Sequence, residues 1–137
     1  MERTAVNPVD WGKEFLMNQA EVTEGASRHL RCSGQVDLVA DPDSEMGVAV
    51  GHEGDMRGQI GAALEALDGL LDGAGMGRSD IVSLRFLTTS VAQFLEHYDV
   101  YAQWIGGAGV MPPQTLLGVN ELAVPGLLVE IEMEAAV

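Results

Sequence analysis

The protein has 137 residues, 47% of them hydrophobic and 20% charged, and seven Lys or Arg against 21 Asp or Glu give a formal net charge of −14. That length suits a single domain over residues 1–137, and the apolar content excludes a disordered acidic tail. The scattered cations are too few for a phosphate-binding surface, which argues against nucleic acid as a partner, and no apolar run reaches the ~18 residues of a membrane span.

Along the chain, Met1 to Pro8 lacks the basic-then-apolar order of a secretory signal, so a cytoplasmic protein is expected. Residues 15–22 and 28–36 read as two strands joined in a hairpin across Thr23-Glu24-Gly25-Ala26-Ser27. Residues 37–54, with acidic side chains around Pro42 and glycines at 47, 51 and 54, read as a loop holding a short strand at Val48–Val50. Asp55 is the expected N-cap of the clearest helix. Met56, Ile60, Ala63, Leu64, Leu67, Leu70 and Leu71 recur at three- and four-residue steps on one face, and Gly73 and Gly75 close it. Residues 81–88 form an apolar, β-branched strand. Ser90 opens a second helix through Phe94, Tyr98, Tyr101, Trp104 and Ile105, stopped by Gly106-Gly107 and Pro112-Pro113. Residues 114–119 and 127–135 are the last two strands.

This order, strand–strand–helix–strand–helix–strand–strand, predicts an α+β fold with a mixed sheet. Right-handed crossovers place both helices on one face of it. Val82, Leu84, Phe86, Leu116, Leu128 and their neighbours suggest apolar residues on the other face as well. A second subunit is the economical cover for such a face, so an oligomer is expected.

Several segments resemble the Rid family, the reactive-intermediate deaminases also labelled L-PSP endoribonucleases. They are Cys32-Ser33-Gly34-Gln35; Asp55-x-x-x-Gln59; Leu70-Leu71-x-x-Ala74-Gly75 with Ser79-Asp80-Ile81-Val82; Pro113-Gln114-Thr115-x-x-Gly118-Val119-x-x-Leu122; and Val129-Glu130-Ile131-Glu132. Each is weak alone, but they occur in the family's order over roughly residues 14–136. The resemblance implies a chorismate-mutase-like fold, a homotrimer, and small-molecule clefts between subunits. It also implies hydrolysis of imines or enamines to a keto compound and ammonia, without metal or cofactor.

Carried over by position, the family's pocket acid, thought to position a water, is Glu130, and its pocket glycine is Gly34. The Arg that grips a substrate carboxylate is replaced by Gln114, which with Thr115 offers a neutral clamp. A guanidinium presents a charged planar fork to a carboxylate, and an amide does not. The family's first-strand Tyr falls on Met17, with Phe15 nearby, and its helical Asn falls on Tyr98. Arg31 or Arg85 offers a substitute cation. By period-two alternation Leu128, Glu130, Glu132 and Glu134 share one strand face, so the bland account of Glu130 is a solvated acidic stripe. Cys32 reads as a small buried hydrophobe, and His52, Glu53 and Asp55 lack a second His at metal-ligand spacing. Two functions follow: a Rid-like protein that binds and hydrolyses an imine or enamine lacking a free carboxylate, or a non-enzymatic metabolite-binding or chaperone-like protein of the same fold. Ribonuclease activity fits poorly with −14 and no paired acid–base His.

Overall fold

Asp55 ends its loop and starts α1 (Met56–Gly73). In the computed structural model, which describes residues 1–137, its carboxylate accepts a hydrogen bond from the Gly58 amide at 3.0 Å. The helical spacing delivers one buried face: Met56, Ile60, Ala63, Leu64, Leu67 and Leu71 all lie in the core. Gln59 shares that face although it is polar. Its amide nitrogen donates to the His52 and Gly126 carbonyls at 3.0 and 3.1 Å, and its oxygen accepts from the Leu128 amide at 2.8 Å. An unpaired buried polar group costs about 1–3 kcal/mol, so Gln59 is stable there because each group is matched. It staples the loop ahead of α1 to the chain leading into the last strand.

The strands are β1 (Glu2–Val6), β2 (Ala20–Glu24), β3 (His29–Arg31), β4 (Leu38–Ala40), β5 (Val48–Val50), β6 (Ile81–Thr88), β7 (Gln114–Gly118) and β8 (Val129–Ala136). The main sheet has the order β3-β8-β6-β7. β8 is antiparallel to both neighbours, and β6 and β7 are parallel. α1 connects β3 with β6, while α2 (Val91–Glu96) and α3 (Tyr98–Gly106) connect β6 with β7. Leu84, Phe86, Val129, Ile131 and Met133 are buried beneath these helices. The mixed α+β architecture therefore agrees with the sequence.

Three local expectations are corrected and one is extended. Residues 15–22 and 28–36 do not form a hairpin: β2 pairs with β1, and β3 pairs with β8. Arg3 explains the exchange, because its guanidinium reaches Glu21 on β2 and the carbonyls of Ser79 and Ile81 at the start of β6. Phe15 lies in a 3-10 turn (Trp11–Phe15), followed by Leu16 in the left-handed region at φ 54°. The expected strand Val48–Val50 is present, and it pairs with a strand that was not expected, Leu38–Ala40. The second helix is broken at His97, where the amides of His97 and Val100 bond three residues back, the tighter pattern that turns the chain.

The last correction concerns the sheet's two faces. Leu84 stands opposite Met133, and Phe86 opposite both Ile131 and Leu116, so these residues share the helix-covered face. The other face carries Ser83, Arg85, Leu87, Thr115, Leu117, Glu130, Glu132 and Glu134. It is mostly polar. The apolar residues taken as evidence for a second apolar face lie mainly on one side of the pleat, so that argument for an oligomer loses its premise.

Candidate functional site

Two clusters hold four of the residues singled out from the sequence, Gln114 with Tyr98 and Gly34 with Glu130. The first forms where the Trp11–Phe15 turn, the start of α3 and the start of β7 meet. Tyr98 Oη donates to the Phe15 carbonyl at 2.6 Å. Gln114 Nε2 donates to Tyr98 Oη and lies 3.5 Å from the same carbonyl. The Phe15 ring stands edge-on to Tyr98, with centroids 5.9 Å apart. Burial pushes the Tyr98 hydroxyl above the ordinary tyrosine range, and the hydrogen bond from Gln114 partly offsets it. Gln114 Oε1 is buried with no hydrogen-bond partner, as is the hydroxyl of Tyr101 on the same helix. Burial drives the Tyr101 hydroxyl strongly upward.

The second cluster is Glu130 on β8 against Gly34. A Cβ at position 34 would stand 2.6 Å from Glu130 Cγ and overlap its carboxylate, so only glycine leaves the acid this position. Glu132 faces Arg85 at 3.6 Å and Glu134 faces Arg31 at 3.9 Å, whereas Glu130 has no ion pair. Partial burial, followed by the charge of Glu132, raises the Glu130 carboxyl above the usual carboxylate range.

The register decides how the clusters relate. Gln114 pairs with Leu84, on the helix-covered face; Glu130 pairs with Leu87, on the open face. Residues directly opposite across a ladder point to the same side. Within one chain, therefore, Gln114 and Glu130 stand on opposite faces of the sheet. A cavity of about 440 Å³ crosses all four strands and is lined by Gln114 and Thr115 together with Arg31, Arg85, Glu132 and Glu134, among others. Glu130, Gly34, Met17 and Tyr98 are not part of its wall.

The family model for Endoribonuclease L-PSP matches residues 18–137. The chain belongs to that family. Among solved structures, the Rid protein YyfB from Yersinia pestis is 27% identical with a TM-score of 0.83, over 100% of both chains. A second Rid protein from the same organism, YyfA, is 26% identical with a TM-score of 0.67, over 99% of this chain and 100% of that one. Rv2704 from Mycobacterium tuberculosis, a YjgF/YER057c/UK114 family protein, is 25% identical with a TM-score of 0.63, over 99% and 100%. No curated protein matches the chain. No helix is long and apolar enough to cross a membrane.

Against this Rid frame, the residues singled out fall into place unevenly. Gln114 and Tyr98 meet, and Gly34 meets Glu130. Met17 does not take part in the polar contacts: its backbone amide bonds to the Gly12 carbonyl, while Phe15 makes the contact with Tyr98. Thr115 sits beside Arg85 on the open face. Both candidate cations, Arg31 and Arg85, border the cavity but face glutamates there. His52 is committed elsewhere, its backbone amide and Nδ1 each 2.7 Å from the buried Asp37 carboxylate. The Tyr98–Phe15 carbonyl bond was not legible from sequence, since nothing local signals a left-handed Leu16.

Proposed function

We propose that this Rid-family protein binds and hydrolyses a small imine or enamine lacking a free carboxylate, in clefts between the subunits of a cytoplasmic homotrimer. Each cleft joins the Gln114–Tyr98 corner and Thr115 of one copy to the Gly34–Glu130 pair of the next. The observation that carries this reading is Glu130: a carboxylate without an ion pair, packed on Gly34, with its proton affinity raised. Such a group takes a proton from water as the water oxygen bonds to the imine carbon. It passes that proton to the nitrogen to give a carbinolamine, then takes the proton of the new hydroxyl and delivers it to the nitrogen as the C–N bond breaks and the C=O forms, so imine plus water becomes a carbonyl compound plus ammonia. No charge at position 114 complements a substrate carboxylate, which directs the site to neutral ligands.

A second reading, a metabolite binder without turnover, is favoured by the same neutral Gln114. Ammonia release from an imine generated in place by an amine oxidase separates the two. The enzymatic reading expects wild type to accelerate release and Glu130→Gln to lose the acceleration by 10²-fold or more. Equal rates for the two proteins would leave the binder.

A further inference from the structure

The loop that joins β1 to β2, residues 7–19, is closed firmly at its base and held at its far side by few groups. At the base Val6 pairs with Ala20. Asn7 Nδ2 donates to Asn18 Oδ1 at 2.8 Å, the Gln19 amide to Asn7 Oδ1 at 2.8 Å, and the Val9 amide to Gln19 Oε1 at 3.0 Å. The Asn18 amide also donates to the Met111 carbonyl. Within the loop, the amides of Lys13, Leu16 and Met17 bond to the carbonyls of Asp10, Lys13 and Gly12, which makes it a compact unit with its ends together. Val9, Trp11 and Phe15 are exposed along it. Beyond the base, its polar hold on the rest of the chain is the Phe15 carbonyl, which accepts from Tyr98 Oη at 2.6 Å with Gln114 Nε2 at 3.5 Å.

In this position the loop seals the Gln114 corner. The Phe15 ring stands on Tyr98, and Leu16 Cδ1 lies 4.0 Å from where a Cβ of Gly106 would be, so the loop runs along α3 from its first turn to its last. Tyr101 lies between those turns, its ring 5.5 Å from that of Tyr98. The sealed form carries three unfavourable features. Gln114 Oε1 and the Tyr101 hydroxyl are both buried without a partner, and Leu16 is the only non-glycine residue in the left-handed region. Lifting the loop admits water to the corner and releases Leu16, at the loss of the Tyr98 bond and of the Phe15 and Leu16 contacts. Gains and losses of similar size are what a two-state element requires, and the base bonds take no part. We propose that residues 7–19 form a strap that opens about its base and gates the Gln114 corner, with the Tyr98 hydroxyl on the Phe15 carbonyl as its latch. A ligand meets Gln114 and Tyr98 only with the strap lifted. What enters rests on the cleft reading above; the opening does not.

Magnetic resonance of the assembled protein tests loop and corner separately. The Leu16 methyl groups are expected to exchange with a minor state on the microsecond-to-millisecond scale, while Leu64 and Leu67 in α1 do not. The side-chain amide protons of Gln114 should exchange with solvent at least ten-fold faster than those of Gln59, which is buried and bonded to the His52 and Gly126 carbonyls, away from the loop. Tyr98→Phe keeps the ring and deletes the latch, so the minor population should rise about three-fold or more. Tyr101→Phe deletes an unpartnered hydroxyl, so the population should fall by about the same factor, and Gln114 exchange should slow with it. A Leu16 as still as α1, exchange shared by α1, or a population that neither variant moves in the stated direction would overturn the strap. A protein that opens as described and yet releases no ammonia from imines would keep the strap and overturn the hydrolytic reading instead.

Discussion

The two halves of the candidate site are built on opposite plans. At the Gln114 corner Tyr98 and the Gln114 nitrogen are tied to neighbours in the same chain, and two oxygens, Gln114 Oε1 and the Tyr101 hydroxyl, are left over. At Glu130 the functional group has no ion pair and is held by shape, against the space that Gly34 leaves open. Hydrogen bonds fix direction, so the first half suits recognition. A carboxylate kept partly from water, with a raised proton affinity, suits proton transfer. The pleat puts the two on opposite faces of one sheet, so the proposed site would be completed by a second copy of the chain.

The largest expected effect comes from Gly34→Ala. The new methyl group displaces the Glu130 carboxylate, and the loss of its placement is expected to cost 10²-fold or more in imine hydrolysis. Because the atoms displaced belong to the end of a flexible side chain, thermal stability should change little. A variant that unfolds, or one that keeps its rate, would mean that Gly34 has another role.

Next in size is Gln114→Arg, which turns the neutral corner into a cationic one. Hydrogen bonds to charged groups are worth roughly 1.5–3 kcal/mol, about twice a neutral pair, so hydrolysis of 2-iminopropionate should rise at least ten-fold. Wild type is expected to be poor on that substrate. Wild-type activity equal to the variant's would give the carboxylate to Arg31 or Arg85 instead.

The smallest effect is on stability. The Glu130 carboxyl is raised in the folded chain, so folding binds its proton more tightly than the unfolded chain does. Its contribution to stability falls as pH rises from the ordinary Glu range through the folded value, and the cost is fully present above that value. Glu130→Gln should therefore raise the melting temperature at pH 7, and the gain should vanish below about pH 4, near the unperturbed Glu value. A gain that does not depend on pH would show that burial of Glu130 carries no electrostatic cost.

How far these halves could be read from the sequence differed for physical reasons. α1 was legible because its cap and its repeat are local. The inward row of β8, Val129, Ile131 and Met133, was legible from alternation. The same parity places Leu84 and Phe86 on one face of β6, but that Leu116 on β7 joins them follows from the register, which is set by pairing between strands. β1 was not legible, because its ladder partner β2 and the carbonyls at residues 79 and 81 that Arg3 reaches all lie farther along the chain. For the site, resemblance located Glu130, Gly34, Gln114 and Tyr98 individually. It did not reveal that Phe15, rather than Met17, supplies the carbonyl that fixes the Gln114 amide.

The shared cleft is the central claim, and subunit mixing tests it most directly. Wild type supplies Glu130 without a cation, and the double variant Gln114→Arg with Glu130→Gln supplies the cation without the acid. In mixed assemblies from co-expression, the proposed cleft would set an Arg at position 114 of one copy against Glu130 of the next. Hydrolysis of 2-iminopropionate is then expected to exceed the sum of the two parent proteins several-fold. Activity no greater than that sum, from a preparation verified as mixed and from a Gln114→Arg single variant that is itself active, would contradict a site shared between subunits.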